Sequence, residues 1–288
     1  MAARALGAAT LVMASGALSE AEVARFLRVL GVAHPAPSLA ALRRLVRAHL
    51  TRVPFENISK LWRLRALGLR DVPELGHHLE GIERNHCGGT CYANNFHLYR
   101  LLVALGYEAK LCGAAMASGE DVHAAIVVAL DGREWLVDGG FAAPFFAPLA
   151  LDASGRQEVR LGNDRWVLVP RDADGRSQLE LWRSGEHISG YLLKPAPRTP
   201  EHFASVVRDS FRAEATFMNA VHAVRFFPDR SVTVSNLSVI RSTPKRFRVE
   251  RLPDRAAMVG AIEREIGIPA GLVHEAIEGL DPSGSIYG

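Results

Sequence analysis

Cysteine is scarce in this chain: Cys87, Cys91 and Cys112 are the only three in 288 residues. They cannot build a disulfide framework for a chain of this size, and an odd number leaves at least one thiol free, so a reducing compartment is expected. Aromatic residues are few as well, at 7%, but a hydrophobic share of 48% and a charged share of 23% are those of an ordinary folded protein. That balance excludes disordered, collagenous and coiled-coil classes. Neither sign of charge is in large excess, since 34 Lys and Arg stand against 31 Asp and Glu. With no long basic run to concentrate the surplus, no nucleic-acid footprint is expected. Nor is there a continuous apolar run of the ~18 residues a membrane span requires. The nearest thing to a targeting signal is residues 1–17, where Arg4 precedes a weakly apolar, Ala- and Gly-rich stretch that runs directly into a helix pattern. The expected location is therefore cytoplasmic rather than secreted.

What the chain does have is a change of hydrophobic period. Val23, Phe26, Leu27 and Leu30 form a helical stripe between Ser19 and Gly31, and Leu39, Leu42, Leu45, Val46 and Leu50 form another behind a capping Ser38. VPFENIS (53–59) reads as a loop or short extended segment, and the charged stretch to Arg84 as one or two further helices. After Cys-Gly-Gly-Thr-Cys a helix is predicted from Cys91 to about Leu105, closed by Gly106. From residue 107 to 193 the period shifts toward two, and LCGAAMA, HAAIVVAL, REWLVDG, RWVLVP and SQLELWR read as strands of an antiparallel sheet or small barrel. Pro195, Pro197 and Pro200 mark a linker or domain edge. Beyond it a helix over 200–213, strands at 231–240 and 246–252, and helices over 254–266 and 270–280 are predicted. The fold class is α+β in three modules: helical (1–85), nucleophile helix and barrel (86–195), and an α/β lid (196–288).

Two local features carry chemistry. Cys91 falls in the first turn of its helix, where the positive end of the macrodipole favours thiolate. The Gly88–Gly89 pair before it leaves backbone N–H groups available to an oxyanion. A lone cysteine is more often simply buried. The second feature follows from counting through a hairpin. Asp131-Gly132 is a two-residue loop of the type I′ kind, so Leu130 faces Arg133 and paired positions sum to 263. Ala125 then opposes Asp138, which makes His123 a diagonal neighbour of Asp138 on one face. Asp138 would fix the imidazole tautomer, leaving the other nitrogen to accept a proton from a thiol. A structural His–Asp pair is the plainer alternative.

In order along the chain, VPFENIS, GGTCYANNFHLYRLLVALGYEAKLCGAAM, DVHAAIVVA and WLVDGGFAAPFFAPLAL resemble the hallmark blocks of the arylamine N-acetyltransferase family. The similarity is clear over about residues 49–151 and fainter elsewhere. The resemblance implies a helical domain, a β-barrel domain and an α/β lid around a papain- or transglutaminase-like core. It implies Cys91 as acyl-accepting nucleophile, His123 as base, Asp138 as orienting partner, and Asn95 as support for the acyl carbonyl, beside the oxyanion role read above for the backbone at Gly89. Phe55 and Phe141 match positions that line the acceptor pocket. Acetyl-CoA is the implied co-substrate, with no tightly bound cofactor, and an aromatic amine, hydrazine or hydroxylamine the implied acceptor. Related amide synthases would use a carrier-bound acyl thioester instead; a cysteine hydrolase would use water; a degenerate member would only bind.

Three positions depart from the pattern. Cys87 stands where the family has the Arg that pairs with Glu56; rescue by Arg84 is expected, with exposure of Glu56 or an altered local geometry as the alternatives, since a lone buried carboxylate is expensive. Ala93 replaces a Glu or Gln. Asp138-Gly139-Gly140-Phe141-Ala142 replaces Asp-Val-Gly-Phe-Gly. His77, His78, His86, Cys87 and Cys91 lack finger spacing, so no metal is expected. Cys87, one turn before Cys91, reads as a space-filler rather than a redox partner. Cys112, Phe226 and Phe227 read as packing residues.

Overall fold

The computed structural model describes residues 17–281; the weakly apolar start, residues 1–16, lies outside them. Four helices come first. α1 (Glu20–Leu30) opens on Ser19 with a reciprocal capping box to Glu22 and stops at Gly31, the local signals that define its ends in sequence. α2 (Leu39–Arg52) is capped by Ser38. α3 (Ile58–Leu67) and α4 (Leu75–Asn85) divide the charged stretch. α5 (Cys91–Ala104) follows, and every residue from Cys91 to Leu98 is buried. A helix covered on all sides in this way is the centre of a fold rather than its surface.

α5 packs against β2 (Glu108–Met116) and β3 (Gly119–Leu130). These belong to an eight-stranded antiparallel sheet with β4 (Arg133–Val137), β5 (Leu149–Ala150), β6 (Gln157–Leu161), β7 (Asp164–Leu168), β8 (Ser177–Arg183) and β9 (Glu186–Arg198), in the order β5-β4-β3-β2-β9-β8-β7-β6. The sheet curls into a nearly closed barrel. Its two edge strands are stitched by one side chain, because Gln157 in β6 accepts from the N–H of Ala150 in β5 and donates to its carbonyl. The β3–β4 register is the one counted from the turn: Leu130 pairs with Arg133 and Ile126 with Val137. Both turn residues have positive φ, 54° at Asp131 and 72° at Gly132, as a type I′ turn demands.

The proline cluster is not a linker. β9 runs through Pro195 and Pro197, and the boundary drawn at residue 195 falls inside this strand. The strand tolerates them because its β8 neighbour ends its pairing at Leu193, while on the β2 side the register slips between Cys112 and Ala114. A proline without an N–H fits where one side of the ladder is unpaired and the other is bulged.

The third region holds a second sheet. Residues 231–240 form a hairpin rather than one strand: β11 (Ser231–Ser235) turns at Asn236, φ 45°, into β12 (Ser238–Thr243). With β10 (His222–Phe226), β13 (Arg246–Arg251) and the two-residue β1 (Phe55–Glu56) the order is β1-β10-β11-β12-β13. β1 thus carries a piece of the helical region into the lid sheet, pairing Phe55 with Val224. The helix expected over 200–213 is a 3₁₀ turn followed by a short α6 (Ala204–Asp209). α7 (Arg255–Ala261), extended by a π turn to Ile266, and α8 (Ala270–Ile277) close the described chain, with α8 packed on α3. No helix among the described residues is long and apolar enough to cross a membrane.

Candidate active site

Glycine geometry fixes the approach to Cys91. A Cβ at Gly88 would lie 2.1 Å from the Pro54 carbonyl oxygen, and Gly89 has φ 87°, so neither position accepts another residue without movement. The chain then enters α5 at Thr90, whose side chain makes no capping bond. The first-turn N–H groups, which have no partner inside a helix, are therefore not taken by the cap. Cys91 is buried at the wall of a cavity of about 1460 Å³.

His123, from β3, and Asp138, one residue past β4, meet as the hairpin register requires. His123 Nε2 lies 2.8 Å from Asp138 Oδ2, and both side chains are shielded from solvent. A carboxylate can only accept, so Nε2 carries the proton and Nδ1 is left for another partner. Burial alone would lower the imidazole pKa. The Asp138 charge and hydrogen bond, with a smaller contribution from the nearby Cys91 side chain, outweigh it and raise the value to about 10. Burial acts on Asp138 in the raising direction, yet His123, Asn95 and the Gly140 N–H hold its carboxyl below the usual range.

Four donors surround that carboxylate. Oδ2 accepts from His123 and from the Tyr191 hydroxyl at 2.9 Å; Oδ1 accepts from Asn95 Nδ2 and the Gly140 N–H, each at 2.9 Å. Tyr191, on β9, also stacks on the imidazole with ring centroids 4.8 Å apart, and Phe141 meets both rings edge-on. Tyr191 escapes sequence reasoning because nothing local links it to a carboxylate 53 residues earlier.

Asn95 and Gly89 do not point at a substrate carbonyl. Asn95 spends its amide protons on Ala124 O at 2.6 Å and Asp138 Oδ1, while its oxygen accepts from the Gly139 N–H. It is a brace for Asp138. The Gly89 N–H is held by Glu56 Oε1 at 2.7 Å. Phe55 and Phe141 both line the cavity, Phe55 forming an aromatic wall with Phe217 and His222 at centroid distances of 5.6 and 6.0 Å.

The missing arginine is not replaced by Arg84, which pairs with Glu80 on the exposed side of α4. Glu56 is completely buried and takes its hydrogen bonds from the Ser59 N–H (2.8 Å), the Ser59 hydroxyl (2.6 Å) and Gly89. Burial pushes its carboxyl up, and these bonds partly offset that. Neutral donors suit a carboxyl with a raised pKa better than they would a permanent charge. Cys87 is buried close by, its thiol pushed well up by burial.

The altered aspartate block has its own compensation. A Cβ at Gly139 would lie 2.6 Å from the His49 ring, so His49 fills the space a side chain at 139 would use. A Cβ at Gly140 would lie 2.7 Å from Cys91 Cα. Ala142 takes φ 56°, a region that favours glycine. Behind this loop, His49 has no hydrogen-bond partner on either ring nitrogen among the described residues, and His78 stacks on His97 at 4.5 Å. Burial lowers all three, His49 and His97 to about 4 and His78 well below the usual imidazole value. Among the described residues no three His, Cys, Asp or Glu side chains come together as a metal-binding group.

A family model described as N-acetyltransferase matches residues 38–272. The chain belongs to the arylamine N-acetyltransferase family. It is 32% identical over 121 residues to proansamycin X synthase of Amycolatopsis mediterranei (39% of this chain, 45% of that protein). It is 29% identical over 176 residues to an arylamine N-acetyltransferase of Mycolicibacterium smegmatis (57% and 62%). These matches span about half to three-fifths of each relative. Among solved structures, the Nocardia farcinica arylamine N-acetyltransferase superposes with a TM-score of 0.75 at 24% identity, covering 89% of this chain and 93% of that one. The Mycobacterium marinum enzyme in complex with CoA gives 0.75 at 20%, covering 90% and 99%. At these identities the family's likeness to solved structures is one of fold.

Proposed function

We propose that this arylamine N-acetyltransferase family member transfers an acetyl group from acetyl-CoA, through a thioester on Cys91, to the nitrogen of an aromatic amine, hydrazine or hydroxylamine. The observation that carries the reading is the position of His123, hydrogen-bonded to Asp138 and near enough to Cys91 for that side chain to raise its pKa, at the wall of an aromatic-lined cavity. The Cys91 proton rests on His123 Nδ1, in keeping with the raised imidazole pKa, and the sulfur attacks the thioester carbonyl. The tetrahedral oxyanion is held by first-turn backbone N–H groups of α5, since Asn95 and Gly89 are committed elsewhere. The carbon–sulfur bond to CoA breaks, and the CoA sulfur leaves with the proton from His123. An acceptor nitrogen then attacks the acyl-enzyme, gives its proton to His123, and releases Cys91 as the amide forms. Asp138, held by Tyr191 and Asn95, keeps the imidazole in one tautomer throughout.

One observation favours a second reading. Ordinary small-molecule pockets enclose roughly 300–1,000 Å³, and this cavity, at about 1460 Å³, is larger. Room of that kind suits an acyl chain longer than acetyl, delivered as a carrier thioester to an amide synthase.

Intact mass after exposure to acetyl-CoA tests the reading: a gain of about 42 Da confined to the Cys91 peptide is expected of an acyl-enzyme. CoA release should then depend on added amine and vanish in Cys91→Ala. Release without amine would indicate hydrolysis. No adduct from acetyl-CoA, but one from a longer acyl thioester, would favour the amide synthase.

A further inference from the structure

A lysine in the first turn of α3 has its ammonium inside the protein. Lys60 is 8% exposed, and Nζ donates to the Ser210 carbonyl at 2.7 Å and the Ser210 hydroxyl at 2.8 Å, while lying 4.4 Å from the centre of the Phe211 ring. An ammonium has three N–H donors. Two are spent on neutral oxygens, the ring interacts through its π face, and none of these partners is a carboxylate. Asp209, next to Ser210, pairs with Arg212 instead. A cation taken out of water without an anion is costly, and burial accordingly draws Lys60 down to about 8, partly countered by the nearby Cys91 charge.

The position of this cation is fixed by two chain segments zipped together. Residues 55–60 and 210–222 are joined by Asn57 Nδ2 to the carbonyls of Phe217 and Ala220, by Lys60 to Ser210, and by the edge contact of Phe55 with Phe217. The surface they present to the cavity contains Phe55, Phe217 and Lys60, and Cys91 lines the same space. An aromatic wall with one cation beside it is a receptor for a flat ring bearing an acid group.

We infer that Lys60 is a specificity-determining residue of the acceptor pocket, offering its remaining N–H to a carboxylate carried on the ring of the aromatic amine. This rests on the acceptor assignment above. The acid would complete the ion pair that the protein leaves open, and in a shielded site one charge-assisted hydrogen bond is worth about tenfold or more in affinity.

The test compares 3- and 4-aminobenzoate with the isosteric, neutral 3- and 4-aminobenzamides. For at least one ring isomer, wild-type kcat/KM for the acid should exceed that for the amide by about tenfold or more, chiefly through KM. Lys60→Met should collapse the acid-to-amide ratio, and Lys60→Arg should restore part of it; the ratio cancels general damage to the active site. A wild-type ratio at or below one for both isomers, or a ratio unchanged in Lys60→Met, overturns the inference. Calorimetric binding of the same four ligands to wild-type protein needs neither chemistry nor a folded variant. Tighter binding of an acid than its amide supports the role of Lys60, and equal or weaker binding overturns it. Absent turnover alongside such a preference would count against acyl transfer alone.

Discussion

Mild acid should cost this fold several kcal/mol, through histidines that take no part in the proposed chemistry. His49, His97 and His222 are buried and lowered by that burial to about 4, and burial also lowers His78 well below the usual imidazole value. In the unfolded chain each returns to about 6.5. Their folded values lie below the unfolded one, so between pH 6.5 and 4 the unfolded chain binds protons that the native state refuses. Stability therefore falls as pH falls through that window. A group with pKa 4 folded and 6.5 unfolded loses about 2 kcal/mol between pH 7 and 5, and the three such groups His49, His97 and His222 lose about 6, with His78 acting in the same direction. His123, raised to about 10, works in the opposite direction and returns about 1 kcal/mol over the same interval. Glu56, raised by burial, also favours the native state in acid. The balance remains comparable to the whole stability of a modest domain. Urea unfolding followed by circular dichroism at pH 7, 6 and 5 should show the midpoint dropping steeply, with about three protons taken up on unfolding near pH 5.5. His49 is the place to dissect the effect, because its ring nitrogens have no partner to orphan. His49→Leu should remove close to one proton from the slope. A midpoint that stays level from pH 7 to 5, or a His49→Leu slope equal to wild type, would refute the reasoning.

Four further outcomes follow from particular contacts. Tyr191→Phe removes one of the four donors to Asp138 and should lower kcat/KM about tenfold with a shifted pH profile; an unchanged profile would show that the hydroxyl does not hold the carboxylate. Ser59→Ala, by stripping a hydrogen bond from buried Glu56, should destabilise by about 1–3 kcal/mol. Arg84→Ala, which disturbs only an exposed pair with Glu80, should stay within about 0.5 kcal/mol of wild type; the reverse ranking in urea melts would restore Arg84 as the partner of Glu56. Ala142→Gly relieves a positive φ and should raise stability by about 1 kcal/mol, seen as a higher midpoint at pH 7.

Much of the architecture was legible because its determinants are local. Ser19 with Glu22, Ser38 and Gly31 mark helix ends within a few residues, and the Asp131-Gly132 turn sets the register that carries His123 to Asp138. What escaped depends on distant pairing. Tyr191 reaches the site only because β9 lies beside β2, with Leu193 opposite Ala114. Proline composition suggested a linker where a bulged, half-paired strand exists. The β11–β12 turn was hidden because its positive φ belongs to Asn236, whose oxygen accepts from the Val221 N–H across the sheet, rather than to a glycine. Of the three fates open to Glu56, rescue by Arg84 and exposure both fail, because the carboxyl stays buried on the Ser59 hydroxyl and the N–H groups of Ser59 and Gly89.

The pairing of Phe55 with Val224 has a consequence for biosynthesis. Translation proceeds from the amino end, so β1 must wait while some 170 further residues, on the order of ten seconds or more of synthesis, are added before its partner strand exists. Until then the sulfur proposed as nucleophile has no far wall, and a chain halted near residue 200 would present that thiol beside an unpaired strand. Premature termination in the last third should therefore yield species prone to oxidation and adhesion, rather than a smaller working enzyme.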